Sequence, residues 1–189
     1  MIISRIQYII SLLSMEGNSS IIDGKILPCA SLLHARNLVI VLFSVIMLVA
    51  CERHTHAWKQ MDIAEKLMNT KPDSALAILE GIPASNVKGK ETSARYALLK
   101  SMALDKNCID TTTFDVIQPA IDYYIEHGSP DEQLRTYYYQ GRIYQNQGDN
   151  DLAMQSFMRG KEFCQEASDT LAMANLMVAQ ATILYSTYK

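Results

Sequence analysis

Carboxylates, imidazoles, thiols and guanidinium groups are the side chains that could do chemistry in this chain, and their spacing narrows what each can do. Asp149 and Asp151 stand two residues apart, a pairing that could serve general acid–base work. Both fall in Gly148-Asp149-Asn150-Asp151, a turn sequence in which Asp is favoured for its short hydrogen-bonding side chain, so turn geometry accounts for them. His54 and His56 form an H-x-H, but no acidic or cysteine ligand stands at metal-binding spacing beside them, and they read as a solvated tether. Cys108 and Cys164 lie far apart and belong to no C-x-x-C pattern, which argues against a disulfide framework. No phosphate-cradling glycine loop, HExxH or GxSxG occurs. The expectation is a non-enzymatic chain with no catalytic residues, no metal and no cofactor. Arg135, Tyr138, Arg142, Gln145 and Asn146 share a helical spacing. Two guanidinium groups one above the other, beside a phenol and amides, suit a carboxylate or an acidic peptide, because arginine bonds carboxylates bidentately. The competing reading is a wet helix face on which Arg135 and Arg142 pair with Asp131, Glu132 or other nearby acids.

The elements that would position that face lie between Leu134 and Phe163. Tyr137, Gly141, Tyr144 and Gly148 are spaced by four, three and four, and beyond the turn Ala153, Phe157 and Gly160 follow by four and three. Each half is a helical stripe. Gly141 removes the side chain where the two helices approach, Ala153 does the same from the second helix, and Tyr137, Tyr144 and Phe157 fill the volume around the contact. The pattern resembles the tetratricopeptide repeat (TPR), a helical hairpin of about 34 residues. The resemblance implies an all-α fold of antiparallel helical hairpins stacked as a short superhelix. It places the Arg135–Asn146 face on the concave side, where a peptide or protein partner would lie.

The flanking segments repeat the theme more weakly. Trp58, Met61, Ala64 or Ile63, Leu67 and Met68 mark one helix, and Lys71-Pro72-Asp73-Ser74 starts another, lined by Ala75, Ile78, Leu79 and Ile82 and ended by Gly81 and Pro83. Tyr96, Leu99 and Ala103 mark the next, from about Glu91 to Asp105. Its partner follows Thr112-x-x-Asp115, which has capping-box character, and Pro119 should kink that helix or delay its start. Tyr96 and Ala103 precede Tyr137 and Tyr144 by 41, whereas Ala120 and Tyr124 precede Ala153 and Phe157 by 33. A longer loop inside the earlier hairpin therefore absorbs eight residues, and Lys100 takes the place of Gly141. The same step of 41 sets Val178, Thr182 and Tyr185 against Tyr137, Gly141 and Tyr144. This last helix, capped by Ser168-Asp169, is apolar nearly all round and must be covered on more than one side. Self-association through it is expected when the chain is made alone.

The first fifty residues differ in composition. Met1 to Leu33 contain apolar turns and a loop from Gly17 to Gly24; His34-Ala35-Arg36-Asn37 is a short positive flank; Leu38 to Ala50 is an uncharged run of thirteen. That run is short for a membrane span of about 20 residues and suits the apolar core of a signal peptide. It ends in Leu48-Val49-Ala50-Cys51, which looks like a bacterial lipobox with Cys51 as the acylated residue. A signal so far from Met1 predicts a start downstream of it. The organisation expected is residues 1–50 as extension and signal, 51–56 as tether, and 57–189 as a helical domain, incomplete at its C-terminus. The net charge of −3 carries no electrostatic footprint for nucleic acid.

Together Cys51, AEKLMNTKPDSALAILEGI, RYALLKSMALDKN, AIDYYIEHG and the Tyr137–Gly160 repeat resemble a family of TPR lipoproteins of Gram-negative bacteria. The resemblance implies an outer-membrane lipoprotein in the cell envelope that serves as a scaffold for protein contacts. Two other readings stand beside it: the sensor portion of a longer signalling or transcription-regulating TPR protein, and a glycan- or nutrient-binding lipoprotein. A single Trp and no aromatic-rich loop weigh against the last.

Overall fold

Proline and capping residues decide where the helices start. The computed structural model describes residue 40 and residues 56–187; the rest of the signal-like run, the acylation candidate Cys51 and His54 lie outside the described residues. Residues 56–187 belong to one compact unit, Met47–Lys189. Helix α1 covers residues 56–67, α2 Pro72–Glu80, α3 Lys90–Lys106, α4 Gln118–His127, α5 Pro130–Asn146, α6 Asn150–Lys161 and α7 Thr170–Thr187, with a 3-10 turn at Ala84–Asn86. Every regular element among the described residues is helical, so the fold is all-α, built from antiparallel hairpins.

Pro72 and Pro130 open α2 and α5, where the missing N–H removes no helical bond. Pro119 delays α4 rather than kinking it: the helix begins at Gln118 and the ring sits in its first turn. The expected cap at Thr112 and Asp115 does not form. Thr113 instead donates to Asp115 at 3.0 Å, and the chain turns for several residues before the helix begins. A true capping box stands one helix later. The Ser129 hydroxyl accepts from the Glu132 N–H, and the Glu132 carboxylate accepts from the Ser129 N–H at 2.8 Å, so two N–H groups that the helix leaves unbonded find partners.

The hairpins stack by a fixed step. Helices α3, α5 and α7 begin at Lys90, Pro130 and Thr170, each 40 residues after the last. Burial confirms this register: Ala94, Leu98, Leu99, Ser101 and Ala103 are buried, and so are Leu134, Tyr138, Tyr139, Gly141 and Ile143. The step of 41 expected from the aromatic pattern is therefore one residue too long. Ser101, not Lys100, stands where Gly141 stands, and the small residue is kept. The counterpart of Gly141 in α7 is Ala181, not Thr182.

Eight extra residues do lie within the α3–α4 connection, residues 107–117, against 147–149 between α5 and α6. They are fastened rather than loose. Ile117 is fully buried, Phe114 packs edge-on against Tyr144 with ring centres 5.0 Å apart, and Asn146 and Gln147 donate to the carbonyls of Thr111 and Thr112.

Gly141 is the tight point of the α5–α6 hairpin. A Cβ there would lie within 2.6 Å of Phe157 Cδ1 and 2.9 Å of Cζ, so the glycine makes room for an aromatic ring and not for Ala153. Phe157 and Ala153 are both fully buried. Gly160 makes similar room farther along α6, where a Cβ would meet Leu176 of α7 at 2.8 Å. Tyr137 is only half-buried and stacks on Phe163; its neighbours Tyr138 and Tyr139 take the buried places. Gly148 adopts φ +83 in the turn, the left-handed region that glycine enters without a Cβ penalty.

Candidate functional site

The first helices of successive hairpins, α1, α3, α5 and α7, converge on one cleft of about 100 Å³. Its floor is Met68, Met102, Tyr138 and Tyr139, and its polar wall is Glu65, Arg135 and Asp169. Asn69, Lys106 and Asn175 stand at the edge. The arrangement follows from the repeat: each hairpin presents its first helix to the same side, so residues from four sequence-distant helices meet.

Ion pairs cross this surface from helix to helix. Arg95 on α3 reaches Asp62 at 2.6 Å and Glu65 at 3.0 Å on α1, and lies 4.5 Å over the Trp58 ring. Arg135 on α5 bonds the same Glu65 at 2.9 Å and Asp169, before α7, at 2.6 Å. Arg142 bonds Asp105 on α3 at 3.0 Å and Gln145 at 2.7 Å. Burial works against the charge of Arg135, but the hydrogen bonds and fields of Asp169 and Glu65 outweigh it and hold its pKa above the ordinary value. Tyr138 is pushed up to about 12, by burial first and then by Asp105, so it is a neutral phenol at neutral pH.

The five residues assigned to a partner face thus separate. Arg135 and Tyr138 do line the cleft, but Tyr138 is 8% exposed and Arg135 already holds two carboxylates. Arg142 and Asn146 fasten α5 to α3 and to its following loop, and Gln145 accepts from Arg142 within α5. The expected stacked pair of guanidinium groups open to an acidic ligand is not what the geometry offers. Each arginine is neutralised within the fold. The acids involved, Glu65, Asp105 and Asp169, come from other hairpins, which is why the candidates near in sequence, Asp131 and Glu132, are the wrong ones.

Asp131 has a different task. Its Oδ1 accepts the backbone N–H groups of Ser168 and Asp169 at 2.7 and 2.8 Å, and its Oδ2 accepts the Ser168 hydroxyl at 2.6 Å. Asp169 in turn caps α7 by accepting from the Ala172 N–H at 3.0 Å. Partial desolvation opposes the charged form of Asp131, but the Ser168 and Asp169 hydrogen bonds and the nearby Arg135 outweigh it, so the pKa lies below the ordinary value. Sequence reasoning misses this clamp because its partners are 37 and 38 residues apart. Its one visible trace is an acid in the first turn of α5 one repeat before Ser168.

The remaining chemical candidates have structural roles. Asp149 caps α6 by accepting from the Leu152 N–H at 2.9 Å, while Asp151 is exposed. Cys108 and Cys164 are both free thiols, and Cys108 sits at φ 57 in the long loop. Trp58 donates to the Thr92 hydroxyl at 3.2 Å. Among the described residues no group of three His, Cys, Asp or Glu side chains is placed to hold a metal ion. None of the described helices is long and apolar enough to cross a membrane. A larger opening of about 350 Å³ lies between α3 and the approach to α4, lined by Val87, Tyr96, Ala97 and Pro119. It draws on one hairpin and the connection before it, with Ser93, Lys100 and Asp115 at its edge, whereas the cleft gathers residues from four first helices. Comparison with protein-family models, with curated proteins and with solved structures gives no match to this chain.

Proposed function

We propose that the chain is a TPR scaffold of the cell envelope, anchored by lipid on Cys51, that holds a protein or peptide partner along the cleft formed by α1, α3, α5 and α7. The observation that carries this reading is the convergence of four first helices on one surface where Arg135 is already paired with Glu65 and Asp169. Recognition then falls to the rim amides of Asn69 and Asn175, the Lys106 ammonium and the exposed apolar side chain of Leu171. Such a mixture suits the backbone of an extended segment with an apolar side chain, better than it suits a strongly acidic peptide. The apolar run from Leu38 to Ala50 with Cys51 after it supports the anchor.

Two measurements test the anchor and the cleft separately. Fatty-acid labelling of cells should mark the parent and not Cys51→Ala; equal labelling removes the anchor. Capture of a partner by the anchored protein should be lost in Asn69→Leu with Asn175→Leu, which removes the rim amides and adds no charge beside Glu65 and Asp169. An unchanged captured set with an unchanged melting curve removes the cleft as the binding surface.

A further inference from the structure

Three departures from the repeat meet at one place. The α2–α3 connection spans residues 81–89, where α4 and α5 are joined by residues 128–129 alone, and the α3–α4 connection spans 107–117, against 147–149 in the next hairpin. Ala97 is the third: its counterpart by the 40-residue step is Tyr137, whose ring stacks on Phe163 with centres 6.0 Å apart. Extra connection length costs closure entropy, and a ring replaced by a methyl group gives up packing contacts. Both connections and Ala97 border the opening of about 350 Å³ beside α3, a volume within the range of small-molecule sites.

The side chains around it define the chemistry it can take. Ile82 and Ala97 are buried, and Val87, Tyr96, Val116 and Pro119 are half-buried apolar walls. Lys100, also half-buried, is the cation of the lining, with its ammonium 5.8 Å from the centre of the Tyr96 ring. Arg95, Arg135 and Arg142 each hold a carboxylate, whereas among the described residues Lys100 takes part in no ion pair. Asp115 is exposed at the edge and accepts from the Thr113 hydroxyl, so solvent screens its charge more than that of Lys100. An occupant therefore needs an apolar body and one negative charge. A single ammonium balances a carboxylate but not a phosphate, which carries about −1.5 to −2.

We propose that this opening is a binding site for an aromatic monocarboxylate. Its ring lies beside Ala97, where the next repeat carries a tyrosine ring of its own, and its carboxylate lies on Lys100. No residue lining this site lines the cleft, so it does not depend on what the cleft binds.

Calorimetric titration of the full chain with 3-phenylpropionate, and with its neutral amide, tests this. The carboxylate should bind with a dissociation constant below about 1 mM, as a ligand of this size can give, and the amide at least tenfold more weakly. Lys100→Met should reduce carboxylate binding to the level of the amide and leave the amide unchanged. Ala97→Tyr should abolish binding of both by supplying the ring from the chain itself. The proposal is overturned if the carboxylate shows no saturation by about 10 mM, if the amide binds as tightly, or if Lys100→Met binds the carboxylate like the parent. Undiminished binding by a folded Ala97→Tyr chain overturns it as well. Circular dichroism checks the fold of both variants, and the Lys100→Met comparison decides the matter if the tyrosine is not accommodated.

Discussion

The α5–α6 hairpin buries both sides of its first helix, whereas α7, one 40-residue step later, buries one. The two regions are held by different forces. Around Gly141 the hairpin is apolar and close: Phe157 fits where a side chain is missing, and Leu134 and Ala153 are fully buried beside it. The α7 helix is attached at its start by polar groups, through Asp131 to Ser168 and Asp169 and through Arg135 to Asp169, and along its length by a narrow buried stripe, Ala172, Leu176, Ala179 and Ile183. In a stacked-repeat fold each hairpin is stabilised by its neighbours. A position that is core in one copy can therefore be surface in the next with no change in residue class. Substitutions at matched positions should separate the two.

The largest effect is expected at Phe157. It is fully buried in the hairpin, and truncation of a buried Phe costs about 3–5 kcal/mol through lost transfer energy and a residual cavity. Phe157→Ala should lower the melting temperature severely, while Val178→Ala on the open face of α7 should leave it nearly unchanged. Denaturant titration of both measures the gap. Similar losses would mean that α7 is as closely packed as the hairpin.

Next is the small position itself. Gly141→Leu forces a side chain against Phe157, an overpacking that costs typically about 1–3 kcal/mol. Ala181→Leu, its counterpart by the 40-residue step, places the same side chain on an exposed face and should not lower the stability of the single chain. Thermal melts under dilute, monomeric conditions decide this, and equal destabilisation would break the register on which the comparison rests.

That register shows what the sequence can and cannot tell. The hairpin from Tyr137 to Gly160 is legible because Gly and Ala at helical spacing leave a physical signature, and Pro119 announces a late start for α4. The neighbouring copies slip by one residue because Tyr137, Tyr138 and Tyr139 are consecutive aromatics. Any of them satisfies a hydrophobic match, and only burial shows that the last two are core. The cleft side of the helices can be read from the repeat, but the state of its arginines cannot. Their partners come from other hairpins and are set by how the helices stack, which periodicity does not encode.

A smaller effect is expected at Gly148, where no neighbour approaches and only the backbone matters. A Cβ there meets nothing within 4 Å, but φ is +83, and a left-handed residue other than glycine costs about 1 kcal/mol. Gly148→Ala should destabilise by that amount, and Gly148→Asn by less, since Asn enters this region more readily. A Gly148→Ala melt matching the parent would show that the turn has another conformation open to it.

The smallest effect should fall on α7 alone and should depend on pH. The pKa of Asp131 is lowered in the folded chain, so its contribution is fully present above the unfolded value of about 3.9. It is lost as pH falls through the lower folded value, because stability rises with pH wherever the unfolded state binds more protons. Asp131 is partly exposed, and solvent screening keeps the contribution below about 1 kcal/mol. Protonation weakens the acceptor for the Ser168 and Asp169 N–H groups and weakens the pull on Arg135, and both hold the start of α7. The apolar contact of Phe157 with Gly141 contains no titrating group. Between neutral pH and about pH 3, amide exchange in α7 should therefore accelerate more than exchange in α6, after correction for the intrinsic rate. Asp131→Asn keeps an oxygen that accepts the two N–H groups and does not titrate, so it should abolish most of that difference. If α6 and α7 loosen together on acidification, or if Asp131→Asn loosens α7 as acid does, the two regions are not held by different forces after all.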